Sequence, residues 1–263
     1  MKLLVHLTDD CNLNCSFCNR RNDPKRKEID TLPVIKALHK VKPIANIQLS
    51  GGEPLLVKDK LYYFINELKG VAPIQVLTNG HFVDEEFVRT CNDNDIHVRV
   101  SLNGIESGEK NLKNLLKTNP DGLKLLRNIK NLSIRQIVDI RHYFANSSIA
   151  LLKTFGCRLE IGFDYFSLNA EDIGAIEMFN FIEQIDKIKQ FDKRLFEHVS
   201  FINFPYENCE CSDNYVLYID GTLERYDERF DVEADHKGCA LISSLMGRDN
   251  YDILLKLINE IRR

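Results

Sequence analysis

Residues 2–18 read KLLVHLTDDCNLNCSFC. The first seven, with apolar Leu3, Leu4, Val5 and Leu7, read as a strand. Cys11, Cys15 and Cys18 follow at C-x3-C-x2-C spacing, so they sit at the strand's C-terminal mouth. In parallel α/β proteins ligands gather at that end. Three thiolates on one short loop can wrap one metal centre. A tetrahedral zinc site needs a fourth ligand, and no histidine follows at finger spacing. Three cysteines on an iron–sulfur cluster leave one iron open to an outside ligand. Taken alone, the triplet also suits a structural metal knuckle.

Working outward, strand and helix patterns alternate. Residues 32–40 read as a helix and 47–50 as a strand running into Gly51-Gly52. Leu61, Phe64, Ile65 and Leu68 recur at helical spacing over 60–68, with Gly70 as the stop. Strands are expected at 74–77, 97–102, 133–138 and 158–163, and helices at 85–94 and 147–155. Six strands joined by helices demand right-handed crossovers and a parallel sheet or partial barrel. Beyond residue 165 the pattern becomes a long helix, 175–190. A hairpin follows, 215–219 and 222–226 about Asp220-Gly221, and then a last helix, 251–261. The domain boundary is expected near 195, giving a barrel over 1–195 and a small C-terminal region over 196–263, with the tail packed on the barrel.

The cysteine loop, with Phe17 before its last cysteine, resembles the signature of the radical S-adenosylmethionine (SAM) superfamily. Gly51-Gly52-Glu53-Pro54, Thr78-Asn79-Gly80 and Ser101-Leu102-Asn103-Gly104 close the second, third and fourth strands in the order that family shows. Each is a generic turn alone; their ordered co-occurrence carries the resemblance, over about residues 1–165. It implies an α/β fold, a partial (β/α)6 radical SAM barrel with a small C-terminal β-hairpin plus helix region. It also implies a 4Fe–4S cluster on Cys11, Cys15 and Cys18, its open iron chelated by the SAM methionyl group. Gly51 and Gly52 would admit that group, and Glu53 would help hold its ammonium. Ser101 would bind the ribose, Asn79 the ribose or carboxylate, and Phe17 would lie near adenine. One electron would break the sulfonium–C5′ bond, and the 5′-deoxyadenosyl radical would take a hydrogen atom from substrate. No residue is assigned to the substrate step itself.

Cys209, Cys211 and Gly221 resemble the entry of a SPASM or twitch domain, which binds auxiliary clusters. Tyr226 stands where the next cysteine belongs, and only Cys239 follows. The ligand set reads as eroded. A cluster or zinc on Cys209, Cys211 and Cys239 remains open, and a metal-free lid over the barrel mouth is favoured. Relatives with such an appendage modify peptides or proteins, which is the activity expected here, with an external electron donor such as flavodoxin or ferredoxin. The first strand starts at residue 2, so a leader-binding domain would be a separate protein. The alternatives are a glycyl-radical-enzyme activating enzyme, an enzyme acting on a small molecule or nucleoside, and a non-catalytic metal-binding protein.

Composition narrows the classes. With 35 basic and 39 acidic residues the net charge is −4, so there is no general nucleic-acid footprint. The basic run Arg20, Arg21, Lys25, Arg26, Lys27 reads as a solvated loop or a phosphate contact. No stretch approaches the roughly 20 apolar residues of a membrane span, and the start lacks a secretory signal. A cytoplasmic protein is expected, with its eight cysteines reduced. Cys91 and Cys157 read as core, and His6 as a satisfied core histidine. Glu160, Asp164, Arg135 and Arg141 read as ion-paired or solvated, or as substrate contacts.

Overall fold

The computed structural model describes residues 2–13, 15, 35, 44–102, 115, 117–138, 143–163, 175–191, 199–201, 214–217 and 223–225. Phe17, Cys18, the basic run 20–27, Arg141, Asp164, Cys209, Cys211, Tyr226, Cys239 and the helix expected at 251–261 lie outside them, as does all but Ile35 of the helix expected at 32–40. Nine strands are described: β1 Lys2–His6, β2 Asn46–Ser50, β3 Ile74–Thr78, β4 His97–Ser101, β5 Leu132–Val138, β6 Arg158–Phe163, β7 Val199–Phe201, β8 Asn214–Leu217 and β9 Leu223–Arg225. Five helices of the α type are described with them: α1 Lys58–Leu68, α2 Glu85–Asp93, α3 Pro120–Leu126, α4 Ala145–Phe155 and α5 Ala175–Phe191. The six expected strands are present, each within two residues of its expected ends. Strand β7, which the sequence pattern leaves between a helix and a β region, is additional.

The chain forms two compact units. The first comprises residues 1–101, 113–133 and 210–229. In it β4, β3, β2 and β1 run parallel side by side, and β8 pairs parallel with the other edge of β1. Strand β9 pairs antiparallel with β8, as the expected hairpin requires, and β8 is seated on the first strand; Asp220-Gly221 lie outside the described residues. Alternation explains the register. Leu3, Val5, Ile47, Leu49, Val76, Val98 and Val100 are buried at alternate positions of their strands, as the period of two requires. Helix α1 adds Leu61, Phe64, Ile65 and Leu68, the i, i+3, i+4, i+7 set. Helix α2 starts where Asp84 Oδ1 accepts the Phe87 N–H at 2.9 Å, with Glu85 and Glu86 in its first turn. Lys58 closes an ion pair on that same Asp84.

Polar side chains at alternate positions of β2, β3 and β4 join in a ladder. Gln48, Gln75 and His97 face one another in register on β2, β3 and β4. Gln48 Nε2 donates to Gln75 Oε1 at 2.9 Å, and Gln75 Nε2 to His97 Nδ1 at 2.7 Å. His97 must then carry its proton on Nε2, which lies 2.9 Å from Ser133 Oγ.

The second unit comprises residues 102–112, 134–209 and 230–263. Strand β7 pairs parallel with β6. Helices α4 and α5 pack through Phe144 and Phe181, whose ring centroids are 5.6 Å apart. Gln184 Oε1 accepts the N–H groups of Phe144 and Ala145, satisfying the start of α4 from the neighbouring helix. Glu160 on β6 is buried, with Arg158 Nε 4.0 Å from its Oε1. Among the described residues no helix is long and apolar enough to cross a membrane.

Gln75→Leu keeps the volume but strands the Gln48 amide and His97 Nδ1. A loss of about 2 kcal/mol in urea unfolding is expected. Lys124→Ala, which opens an exposed pair with Asp121, is expected to cost under about 0.5 kcal/mol.

Candidate functional site

Parallel pairing brings the C-terminal ends of β1 to β4 to the same edge of the first unit. The segments that leave those ends hold most of the expected site residues. Cys11 and Cys15 are half-buried on the segment after β1. Gly51, Gly52 and Glu53 follow β2, Asn79 follows β3, and Ser101 ends β4, half-buried.

The two glycines join the segment after β2 to the segment after β1. Gly52 N–H donates to Thr8 O at 2.6 Å and Glu53 N–H to Asp10 O at 2.7 Å. Gly51 has φ +138°, a conformation L side chains rarely adopt. A Cβ there would lie 2.4 Å from Thr8 O, and one on Gly52 would lie 2.1 Å from Asp10 O. The close approach these glycines allow is that of the chain's own backbone, immediately ahead of Cys11. Thr8 Oγ1 also accepts the Asp10 N–H at 3.1 Å, turning the chain into the cysteine loop.

Glu53 ties this junction to β3. Its side chain is 1% exposed. Oε1 accepts from Thr78 Oγ1 at 2.6 Å and from Leu55 N–H at 3.0 Å; Oε2 accepts from Asn79 N–H at 2.7 Å. The Leu55 bond also caps the short 3-10 helix Pro54–Val57. Burial pushes the carboxyl from its ordinary 4.5 up to about 7, against three hydrogen bonds that pull it down. Thr78 Oγ1 in turn accepts the Gly80 N–H at 3.0 Å.

Asn79 reaches back to the cysteine loop. Its Oδ1 accepts the His81 N–H at 3.0 Å. Its Nδ2 donates to Asn12 Oδ1 at 2.7 Å and lies 3.9 Å from Cys11 Sγ. The Leu13 N–H approaches the same sulfur at 3.4 Å. Nothing in the sequence marks Thr78 or Asn12 as part of this network. The Thr-Asn-Gly run reads as a turn, and only the fold shows which carboxylate its hydroxyl meets.

Two further cysteines stand apart from this group. Cys91 is buried on α2, and burial pushes its thiol up to about 12. Cys157, expected in the core, is only half-buried beside β6, though burial holds its thiol up at about 12 as well. His6 is buried, as expected of a core histidine.

The family model of the radical SAM superfamily matches residues 5–146. The chain belongs to the radical SAM superfamily. The match takes in the cysteine loop, the Gly-Gly-Glu segment and the third and fourth strand ends. Among curated proteins, GTP 3′,8-cyclase of Aquifex aeolicus is 28% identical over 179 residues, 57% of this chain and 54% of that protein. The chain spans about half or less of the length of the first curated relatives it matches. Among solved structures, anSMEcpe with bound AdoMet and Kp18Cys peptide superposes with TM-score 0.62 at 16% identity, over 93% of this chain and 83% of that one. Streptococcus suis SuiB bound to its precursor peptide SuiA gives 0.61 at 13% identity, over 86% of this chain and 59% of that one. These likenesses show the fold. It is the α/β partial-barrel class that the radical SAM resemblance implies.

Two predictions follow from the anchoring of the loop. Gly52→Ala must displace the backbone of Asp9 and Asp10 and is expected to cost about 3 kcal/mol in urea unfolding. Glu53 binds its proton more tightly folded than unfolded, so that proton stabilises the fold fully below about pH 4.5. The contribution is lost as pH rises to about 7. Glu53→Gln should therefore remove a fall in melting temperature between those two values. A wild-type profile in the variant would contradict the assignment.

Proposed function

We propose that this chain reductively cleaves SAM at a 4Fe–4S cluster held by Cys11, Cys15 and Cys18, and abstracts hydrogen from a peptide or protein substrate. The observation that carries the reading is the bracing of the cysteine loop. A thiolate set alone would suit any soft metal. Here the loop is fixed by backbone contact with Gly51-Gly52 and by the Asn79 amide, and two N–H groups lie at Cys11 Sγ. Soft thiolates with N–H donors at sulfur fit an iron–sulfur group. When bound, the cluster and SAM supply the electron and the 5′-deoxyadenosyl radical of the superfamily's chemistry.

The chain's own residues do the positioning. In this reading Gly51 and Gly52 fix the cysteine loop and leave the edge of the β2 segment open to the methionyl group. Glu53 holds the two strand ends in one arrangement from beneath, and its ammonium contact would pass through that buried carboxyl. Ser101 at the end of β4 serves the ribose, and Phe17 lies by adenine. Residues 1–195 carry this chemistry, with electrons from a donor such as flavodoxin or ferredoxin. Residues 196–263 shape the substrate entrance, with no metal on Cys209, Cys211 and Cys239. The β8–β9 hairpin seated on β1 supports an appended module of the peptide-modifying kind. So does the fold shared with two proteins solved with bound peptides. The curated likeness to GTP 3′,8-cyclase favours a second reading, in which the substrate is a purine nucleotide.

Anaerobic reconstitution with iron and sulfide should give a brown protein, and Cys15→Ala should lose most of its charge-transfer absorption. With reductant and SAM, the wild type should form 5′-deoxyadenosine, at a rate raised at least about tenfold by its true substrate class, a barrier change of about 1.4 kcal/mol. Stimulation by GTP rather than by peptides would favour the nucleotide reading. Full absorption in Cys15→Ala would remove the loop from the reading altogether.

A further inference from the structure

We infer that Asn79 is a positioning residue for the Cys11 sulfur, donating an amide N–H to it and thereby raising the reduction potential of the cluster the loop would hold. The inference rests on the cluster assignment above and goes beyond it. It places Asn79 on the metal side of the site rather than at the ribose.

The direction of the amide is settled by its neighbours. Asn79 Oδ1 accepts a backbone N–H, that of His81, at 3.0 Å; a flipped amide would set two donors face to face there. Nδ2 must therefore be the atom turned to the cysteine loop. It carries two hydrogens. One is taken by Asn12 Oδ1 at 2.7 Å, and the other is left for Cys11 Sγ at 3.9 Å. The backbone of Asn79 is equally fixed, since its own N–H is held by Glu53 Oε2 at 2.7 Å. Side chain and main chain are thus anchored on different partners, Glu53 and His81, neither of which belongs to the cysteine loop. The amide is a preset donor and does not depend on that loop for its orientation.

The chemistry follows from the charge. Reducing an iron–sulfur cluster adds negative charge that is shared by the ligating sulfurs. An N–H dipole aimed at one of them stabilises the reduced state more than the oxidised one. The Leu13 N–H at 3.4 Å supplies one such dipole from within the loop, and Asn79 supplies a second from β3.

The test uses the full chain, reconstituted anaerobically and kept free of SAM, with its midpoint potential read by an EPR-monitored redox titration. Asn79→Ala is expected to shift the reduction equilibrium about tenfold toward the oxidised form, close to 59 mV for one electron. Asn79→Asp keeps the size and the acceptor for His81 but has no amide hydrogen, and should fall at least as far. A role confined to bracing the loop predicts a wild-type potential for the uncharged Asn79→Ala at wild-type iron content and overturns the inference. So does a fall in Asn79→Asp alone, which would be an effect of its charge, or an unchanged potential in both variants at wild-type iron content. If Asn79→Ala fails to fold, Asn79→Leu, uncharged and of similar size but without an N–H, decides in its place: a wild-type potential overturns the inference and a fall of about tenfold supports it. A wild type that assembles no cluster would instead remove the assignment on which the inference rests, and iron analysis separates that failure from the others.

Discussion

A carboxylate with almost no exposure to water, Glu53, joins the ends of two parallel strands. It leaves β2 through two glycines and receives the Thr78 hydroxyl and the Asn79 N–H from the end of β3, with Leu55 N–H as a third donor. Desolvation opposes the charge, and the three hydrogen bonds oppose desolvation. The outcome is a carboxyl pushed up to about 7. Its three hydrogen bonds tie the two strand ends to one another.

From that joint the cysteine loop inherits its place. The segment bearing Cys11 hydrogen-bonds to Gly52 and Glu53 through the carbonyls of Thr8 and Asp10, at a separation no side chain could share. Asn79, fixed by the same carboxylate, turns its amide to Asn12 and Cys11. One buried acid therefore orders three segments distant in sequence. On one side of Cys11 the Asp10 carbonyl takes the Glu53 N–H, and on the other the Asn12 side chain takes the amide of Asn79, whose own N–H Glu53 holds.

The strands were legible because short apolar runs end in turn residues and Leu3, Val5, Ile47, Leu49, Ile74, Val76, Val98 and Val100 keep a period of two, and helix α1 because Leu61, Phe64, Ile65 and Leu68 fall on one face. Asp220-Gly221 between two strand-like runs marked the hairpin. Its pairing with β1, across more than two hundred residues of chain, left no local signal. The cysteines, Gly-Gly-Glu and Thr-Asn-Gly could be read as neighbours only because parallel strands end on one edge. The particular bonds could not be read, since Thr78, Asn12 and the Thr8 carbonyl act through distances that depend on register. The ladder of Gln48, Gln75, His97 and Ser133 escaped for a related reason. Each residue reads alone as an ordinary polar position, and only the register aligns them.

The central claim is that the braced cysteine loop holds a cluster with one iron open to SAM. Mössbauer spectroscopy of the anaerobically reconstituted, iron-57-labelled chain tests it most directly. The account predicts that adding SAM moves the isomer shift of about one iron in four, the iron without a cysteine ligand, and leaves the others in place. A spectrum that SAM does not change, from a fully loaded cluster, would contradict it.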